Sequence, residues 1–541
     1  MDAIDRAIIK GKYTVDCTGI KVQTWKEFEK DLKGKFLFLF GVGTGIRIFF
    51  KKYGNKLDIN GIIDNDIKKQ GYKVSDFIMT DEVSCDIEIS DVSILNNYVK
   101  EKMVIVILSL GRYQEIAAEL SCLGVQHVYS LFEMEVNERC NNGIATRDEF
   151  GEAQKWIEEC CKKPLNPKKM VFEAYGTYTD HGKYITEQLL KLRQDLDIVW
   201  VVHNLRTTVP KGVRLILSSN WMLYLYEMET AAIWVTNVTL PTYIVKRKGQ
   251  KYIETKHWAS VTLKCFYLIE SSAKEYKNTE AVKYNGSIMD YIITGSDFDT
   301  ESCRKGFDFH KEVIQIGSPR SDAMFHHDEL REKVYQYYHL DHSKKMIVYA
   351  PTFRYKKCDE WHVPEIRNAD LDYESIKNAL EERFGGEWYI VLRLHPGMED
   401  EADKLEKPSF VIDASRYDDG QEIAAACDIM ISDYSSIMFE PAFVYKPVFL
   451  MALDREEYMD EERDLLIDYN TLPFPKAESN LELVQCIMNF DEQKYKENVK
   501  NFMEKYGVHE DGHASERAAV FISELIDAQL YAEEVCRLSD T

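Results

Sequence analysis

The chain has 541 residues, 45% hydrophobic and 12% aromatic, which gives it enough apolar material for two to four folded domains and excludes a disordered polymer. Its formal net charge of −23 disfavours general nucleic-acid binding, which relies on Lys and Arg to displace counterions. Twelve cysteines form no C-x-x-C pair, and the longest uncharged run, 231–245, is too short for a membrane span and contains Asn237 and Pro241. Met1–Tyr13 has no apolar signal core, so reduced thiols and a cytoplasmic location are expected.

Residues 36–49, FLFLFGVGTGIRIF, read as an apolar strand, a glycine turn and a helix start. Gly41, Gly43 and Gly45 approximate a dinucleotide fingerprint, with Ile46 where its last glycine would stand. A second strand, Ile59–Ile63, ends in Asp64, the place of a ribose-binding acid, and Met103–Leu110 is a third. These residues are expected to build a small Rossmann-like domain over 1–137. Its glycines and acid either bind a nucleotide or only pack helix on sheet.

Residues 138–169 are polar and read as a helical linker. From Met170 the pattern is again α/β: strands at 170–173, 197–203, 214–217 and 232–236, with a helix near Tyr184–Arg193. The run Lys246-Arg247-Lys248-Gly249-Gln250-Lys251 is either a solvated loop or a rim for an anionic substrate, with His257 at a strand end shortly after. Val313–Ile316 leads into Gly317-Ser318-Pro319-Arg320-Ser321-Asp322, a tight turn bearing an arginine. A charged helical crossing near 330–345 divides 170–330 from 331–541. Its histidines, His326-His327 and His339-x-x-His342, sit in a polar helical context that argues against a metal site.

Four further strands finish in polar or cationic residues: 345–349 before Pro351-Thr352-Phe353-Arg354, 388–394 before His395, 410–412 before Asp413, and Ile429–Ile431 before Ser432-Asp433-Tyr434-Ser435-Ser436. Ligands bind at the carboxyl ends of such strands, so these ends are expected to converge on one crevice. The last turn offers hydroxyls and free N–H groups suited to a phosphate, with Glu440 one helical turn on, in reach of a ribose hydroxyl; an ordinary helix cap explains the same residues.

The motifs YAPTFR (349–354), LRLHP (392–396), SRYDDGQEIAAACDIMISDYSSIMFE (415–440) and GSPRSD (317–322) together resemble the CDP-glycerol glycerophosphotransferase family, which includes teichoic-acid polymerases and primases. The resemblance runs from about residue 170 to DGHASER (511–517). It implies a GT-B fold, two Rossmann-like halves facing across a cleft, behind the small N-terminal domain. The half at 170–330 would carry the acceptor side and the half at 331–541 the CDP-polyol donor.

It also implies transfer of a polyol phosphate from a CDP-linked donor to an acceptor hydroxyl with release of CMP. His257 corresponds to the family's catalytic histidine, although Lys256-His257-Trp258-Ala259-Ser260 departs from the usual Trp-His-Gly-Thr; Leu263-Lys264 matches the Leu-Lys that follows. On this reading His257 is the base. Arg354 offers a phosphate fork, or else forms a salt bridge within its own half, and His395 donates to the diphosphate. Ser435 and Ser436 hold the leaving phosphate, Asp433 shapes the turn or orients a cation, and Asp419 contacts the polyol or positions Arg354. Ser318, Arg320, Asp322, Thr352 and Glu440 complete the expected substrate contacts. No resident metal or cofactor is required, and a divalent ion on the donor diphosphate is left open. A lipid-linked or polyol-phosphate acceptor and weak attachment to an anionic membrane face through 246–251 are expected. The alternatives are a CDP-ribitol donor, a sugar-nucleotide glycosyltransferase on the same fold, and a nucleotide-binding scaffold that has lost catalysis.

Overall fold

The computed structural model describes residues 23–539 apart from 55, 78–86, 110–112, 133, 136–154, 219, 242–243, 264–278, 353, 359–360, 366–370, 396–397, 399–401, 403–404, 406, 456–457 and 459–464. Short apolar runs become parallel strands covered on both faces, as Phe36–Phe40 (FLFLF) and Met103–Ile107 (MVIVI) illustrate. The first sheet joins β1 (Phe36–Phe40), β2 (Ile59–Ile63), β3 (Ile89–Ser90), β4 (Met103–Ile107) and β5 (His127–Ser130) in the order β3-β2-β1-β4-β5. The second joins β6 (Asn166–Glu173), β7 (Asp197–Val202), β8 (Val213–Leu217), β9 (Ala231–Thr236), β10 (Lys251–Glu254), β11 (Tyr291–Thr294) and β12 (Glu312–Gln315) as β12-β11-β10-β9-β6-β7-β8. After β13 (Lys345–Ala350) comes a separate antiparallel hairpin, β14 (Arg354–Cys358) with β15 (Trp361–Glu365). The third sheet then adds β16 (Trp388–Leu392), β17 (Val411–Asp413), β18 (Ile429–Ser432), β19 (Val448–Met451) and β20 (Lys476–Ala477), ordered β17-β16-β13-β18-β19-β20.

All three sheets are wound alike. In each, the strand order reverses beside the first strand, between β1 and β4, β6 and β9, and β13 and β18. A crevice opens at the carboxyl ends of strands where the order reverses, which fixes where ligands can be held. In the third sheet that point lies between Pro351-Thr352 and Asp433-Tyr434.

The expected linker gives way early, since β6 begins at Asn166; Lys264, Pro396 and most of 138–169 lie outside the described residues. The expected boundaries fail more informatively at the other end. Ala518, Ala519, Ile522 and Ile526, on the last helix (Ala514–Ser539), pack into the core formed by Met170, Phe172, Trp200 and Ile233. This helix therefore belongs to the second sheet's unit, although its place in the chain assigns it to 331–541. In return Val261 and Leu263, which follow β10, are buried in the core of the third sheet with Ile347 and Met430.

The N-terminal sheet's unit touches both others. Arg206, in the loop after β7, donates to the Lys68 carbonyl (3.2 Å) and to Asp76 (3.2 Å), and Lys68 lies 3.6 Å from Asp418. No helix among the described residues is long and apolar enough to cross a membrane.

Candidate active site

The second sheet supplies three strand-end turns. After β6, Tyr175 (φ 47°) and Gly176 (φ 72°) bend the chain back; a Cβ on Gly176 would lie 2.3 Å from the His203 ring, so only glycine fits. Asp180 opens the helix α1 (Asp180–Leu192) with its carboxylate turned inward, accepting from Asn237 Nδ2 (2.8 Å) and from Arg320 Nη1 (3.2 Å). Burial alone would raise this carboxyl, and the Arg320 charge with the hydrogen bond from the His181 backbone N–H turn the net shift downward. His181 is fully buried, and desolvation holds its pKa near 3, so it is neutral. Nε2–H donates to the Trp258 carbonyl (3.0 Å), and Nδ1 accepts the Arg320 backbone N–H (3.4 Å).

His257 lies three residues beyond β10 and is exposed, its ring edge-on to Tyr175 with centroids 5.6 Å apart. Its carbonyl accepts from Arg320 Nη1 at 2.9 Å. The same guanidinium reaches into the third sheet's unit, with Nε 3.1 Å from Glu440 Oε1 and Nη2 also on that oxygen. One arginine thus ties Asp180, the His257 backbone and Glu440 together. The rest of its turn faces elsewhere: Ser318 N–H donates to Glu510 (3.1 Å), and Asp322 accepts from the N–H groups of Ala514 (3.0 Å) and Ser515 (2.7 Å) at the start of the last helix. Ser318 and Asp322, expected to bind substrate, are here engaged in anchoring that helix.

A second set of contacts crosses between the units. Lys183 pairs with Asp419 and, at 2.5 Å, with Glu422, while Tyr184 Oη donates to Asp419 (3.0 Å). Asp419 also caps the helix α2 (Gly420–Ala426). It does not position Arg354.

That arginine is buried, with Nε and Nη2 on Asp454 (2.7 and 2.9 Å) and Nη2 on Asp433 (3.1 Å). The two carboxylates occupy the fork expected for phosphate, which is the competing salt-bridge role. Asp433 shapes its turn by accepting from Thr352 N–H (2.8 Å) and Oγ1–H (2.6 Å). The helix expected after Ser436 is one 3-10 turn followed by the short Phe439–Ala442, and Tyr445 (φ 58°) then turns the chain out of the helical path. Ser435 is half-buried at the cap position with no side-chain cap bond, and Ser436 Oγ lies 3.2 Å from Thr262 Oγ1, facing the loop that carries His257. His395 is exposed after β16, on the far side of β13.

The basic run is displaced from all of this. It precedes β10, whereas His257 follows it, so in a parallel sheet the two stand at opposite ends. Lys246 pairs with Asp290 (2.6 Å), and Arg247 donates to the carbonyls of Glu229 (2.6 Å) and Lys163 (2.8 Å). A cleft rim is therefore not its role, and half of its cations are occupied internally.

In the N-terminal unit Asp64 Oδ2 accepts from Val42 N–H (2.6 Å) and Lys69 (3.0 Å), so its carboxylate holds the glycine turn together. A Cβ on Gly45 would meet the Leu108 carbonyl oxygen at 2.1 Å, which makes that glycine a packing requirement. Gly41 (φ 104°) turns the chain and Gly43 faces open space. Gly41, Gly45 and Asp64 thus have structural duties of their own, and Gly43 has none. No cluster that could hold a metal ion occurs among the described residues.

Asp180, His181, Lys183 and Asp454 carry much of this geometry and were not among the expected site residues. Asp454 had a usable signal, since it follows an apolar strand as Asp413 and Asp433 do. The Asp180–Lys183 segment follows a strand in the same manner.

Several buried carboxyls at and beside these strand-end turns are raised toward neutrality. Burial raises Glu173 to about 7, Glu254 to about 8 and Glu510 to about 7. The native state then holds protons that the unfolded chain, with carboxyl pKa values near 4.5, has released, so stability falls as pH rises from about 4.5 to 8. Thermal unfolding is expected at progressively lower temperature between pH 5.5 and 8.5. Glu254→Gln, which keeps an oxygen for the Lys256 N–H and turns its NH2 toward the Tyr252 hydroxyl oxygen, should flatten that slope; an unchanged slope would remove Glu254 as its source.

Comparison with known proteins agrees with this arrangement. Residues 158–524 match the family described as CDP-Glycerol:Poly(glycerophosphate) glycerophosphotransferase. The teichoic acid poly(glycerol phosphate) polymerase of Staphylococcus epidermidis is 28% identical over 379 residues, 67% of this chain and 51% of that protein. The teichoic acid ribitol-phosphate primase of Bacillus spizizenii is 28% identical over 395 residues, 70% of this chain and 96% of that one. The chain spans about half the length of the first curated relatives it matches. A solved structure of the wall teichoic acid polymerase TagF, a variant soaked with CDPG, superposes with a TM-score of 0.62 at 26% identity, covering 73% of this chain and 98% of that one. The second and third sheets are thus the two halves of a TagF-like, GT-B-like fold, with the first as an added Rossmann-like unit. A family match over well more than half the chain, on that fold and through those strand-end turns, makes this protein a member of the CDP-glycerol:poly(glycerophosphate) glycerophosphotransferase family.

Proposed function

We propose that the protein transfers a polyol phosphate, glycerol phosphate by default, from a CDP-linked donor to an acceptor hydroxyl in the synthesis of a teichoic-acid-like or capsular polymer. The observation that carries this reading is the facing pair of turns: exposed His257 on one wall, and the Ser435-Ser436 turn opposite, joined by Arg320 between the His257 carbonyl and Glu440. The CDPG soak of the related polymerase supports the donor class. His257 takes the proton of the attacking acceptor hydroxyl, whose oxygen bonds to the polyol-bearing phosphorus. The bond from that phosphorus to the bridging oxygen breaks, and CMP leaves. Ser435 and the N–H groups of its turn receive the departing phosphate. The chemistry asks for positioning and charge stabilisation, and the Ser435 turn is placed to contribute to both.

Relatives equally similar to this chain act on glycerol phosphate and on ribitol phosphate by name, so overall identity does not choose the polyol. The test is CMP release from CDP-glycerol and CDP-ribitol in the presence of a glycerol-phosphate-primed acceptor. CMP from either donor is the expected result. No CMP from both, with UDP or GDP released from a sugar nucleotide, would replace this reading with glycosyl transfer.

A further inference from the structure

The loop that carries His257 is held in an unusual manner. Residues 257–260 belong to no helix or strand, yet four successive carbonyls each accept a bond from a side chain of the same unit. The His257 carbonyl takes Arg320 Nη1 (2.9 Å), and the Trp258 carbonyl takes His181 Nε2 (3.0 Å) and Lys256 Nζ (3.1 Å). The Ala259 carbonyl takes Lys256 Nζ (3.2 Å), and the Ser260 carbonyl takes Ser296 Oγ (2.6 Å). Surface loops ordinarily leave such groups to water. Here the carbonyls point inward and the imidazole points out.

Lys256 is the centre of this arrangement. It has φ 54°, a conformation that non-glycine residues adopt only when the surroundings impose it, and its side chain is fully buried. Its ammonium sits 3.0 Å from Asp299 Oδ2, and the other oxygen, Oδ1, accepts from Trp258 Nε1 (2.9 Å). The Lys256 N–H is held by Glu254 Oε1 at 2.7 Å. An apolar residue of similar length would fill the same space without the large desolvation cost of an ammonium. What only a cation can do there is gather two carbonyls and a carboxylate around one point, since an ammonium has three donors and no acceptor. Two positively charged or neutral anchors, Arg320 and His181, complete the hold from the other side.

We propose that Lys256, paired with Asp299, is a positioning residue that fixes the 257–260 backbone so that the His257 imidazole is presented outward against Tyr175. It touches no substrate and acts only through the geometry of the loop. The proposal rests on the reading of His257 as the acceptor-side base, and it adds which buried pair makes that base usable in a segment where the family's usual Trp-His-Gly-Thr sequence is absent. Misplacing a reacting group by about 1 Å is enough to lower turnover roughly 10²-fold, so a loosened loop has a measurable signature.

The test compares the full-length protein with Lys256→Met, which keeps the stem and removes the ammonium. Asp299→Asn, which keeps the shape and removes the carboxylate charge, serves as the second variant if the first does not fold. CMP release is measured with a CDP-polyol, and the His257 imidazole signal, assigned by its disappearance in His257→Ala, is followed by NMR with labelled histidine. The expected result is a fall in kcat of about 10–100-fold with KM for the donor within twofold, together with a shifted or broadened His257 signal. A folded variant with an unmoved His257 signal overturns the proposal, whether its kcat is unchanged or its losses lie in nucleotide affinity. If the wild-type chain releases no CMP from any CDP-polyol, the functional reading fails, and the NMR comparison still decides the positioning role.

Discussion

His257→Ala is expected to lower CMP release from a CDP-polyol by about 10²–10⁴-fold, the usual contribution of a general base, while donor affinity stays near that of the wild type. The separation follows from where the two functions sit. His257 stands after β10 in the second sheet, and the hydroxyl turn at 435–436 stands after β18 in the third. Removing the imidazole deletes a proton acceptor and leaves the opposite turn intact, because His257 meets Arg320, which crosses to Glu440, through its backbone carbonyl, and alanine retains that carbonyl. Calorimetric binding of CMP beside steady-state CMP release checks both halves of the statement. Turnover at the wild-type rate in His257→Ala would end its assignment as base, and a matching loss of CMP affinity would place the imidazole on the donor instead.

Arg320→Met should be the most destabilising single change at the cleft. The guanidinium is the shared partner of Asp180 and Glu440, both buried, and Glu440 Oε2 already has no hydrogen-bond partner. Burial raises the Glu440 carboxyl, and Arg320 is the main influence drawing it back toward ionisation. Removing one partner of a buried ion pair typically costs about 3–5 kcal/mol, because the charges left behind are neither solvated nor compensated. Two carboxylates are stranded here, so the upper part of that range is expected at pH 8. The cost should shrink at pH 5, where Glu440 can take up a proton. Hydrogen exchange at 177–184 and 436–440 should rise on both sides of the cleft at once. A variant carrying Asp180→Asn and Glu440→Gln beside Arg320→Met should recover part of the loss. Unaltered exchange in the single variant would mean that the other contacts between the halves, Lys183–Asp419–Glu422 among them, hold them together without Arg320.

Much of this fold was legible because parallel strands buried on both faces read as unbroken apolar runs, as at Phe36–Phe40, Met103–Ile107 and Ile429–Ile431. Polar residues ending such runs marked the crevice, and Thr352, Asp433 and Ser435 do stand where the third sheet reverses its order. What each does there was less legible. Arg354 and Asp454 are 100 residues apart, and Lys183 and Asp419 are 236, so nothing local indicates which carboxylate will occupy which cation. Lys256 is one lysine among many in the sequence, and only the loop's inward carbonyls and the buried Asp299 give it a role. The last helix was assigned by its position along the chain, although its alanine and isoleucine face at 518–526 fits the second sheet.

That helix also bears on how the protein is made. As the chain leaves a ribosome, β6 to β12 are complete by Gln315, but the face of their sheet that receives Ala518, Ala519, Ile522 and Ile526 stays bare until some two hundred further residues emerge. At about 5–20 residues per second this lasts roughly 10–40 s, a long exposure for a core that includes Phe172 and Trp200. Val261 and Leu263 wait as well, for a sheet not yet synthesised. Completion of the second sheet's unit therefore waits on the rest of the chain, and a nascent chain arrested near residue 330 presents one bare sheet face and the unburied Val261 and Leu263 to whatever chaperone is at hand.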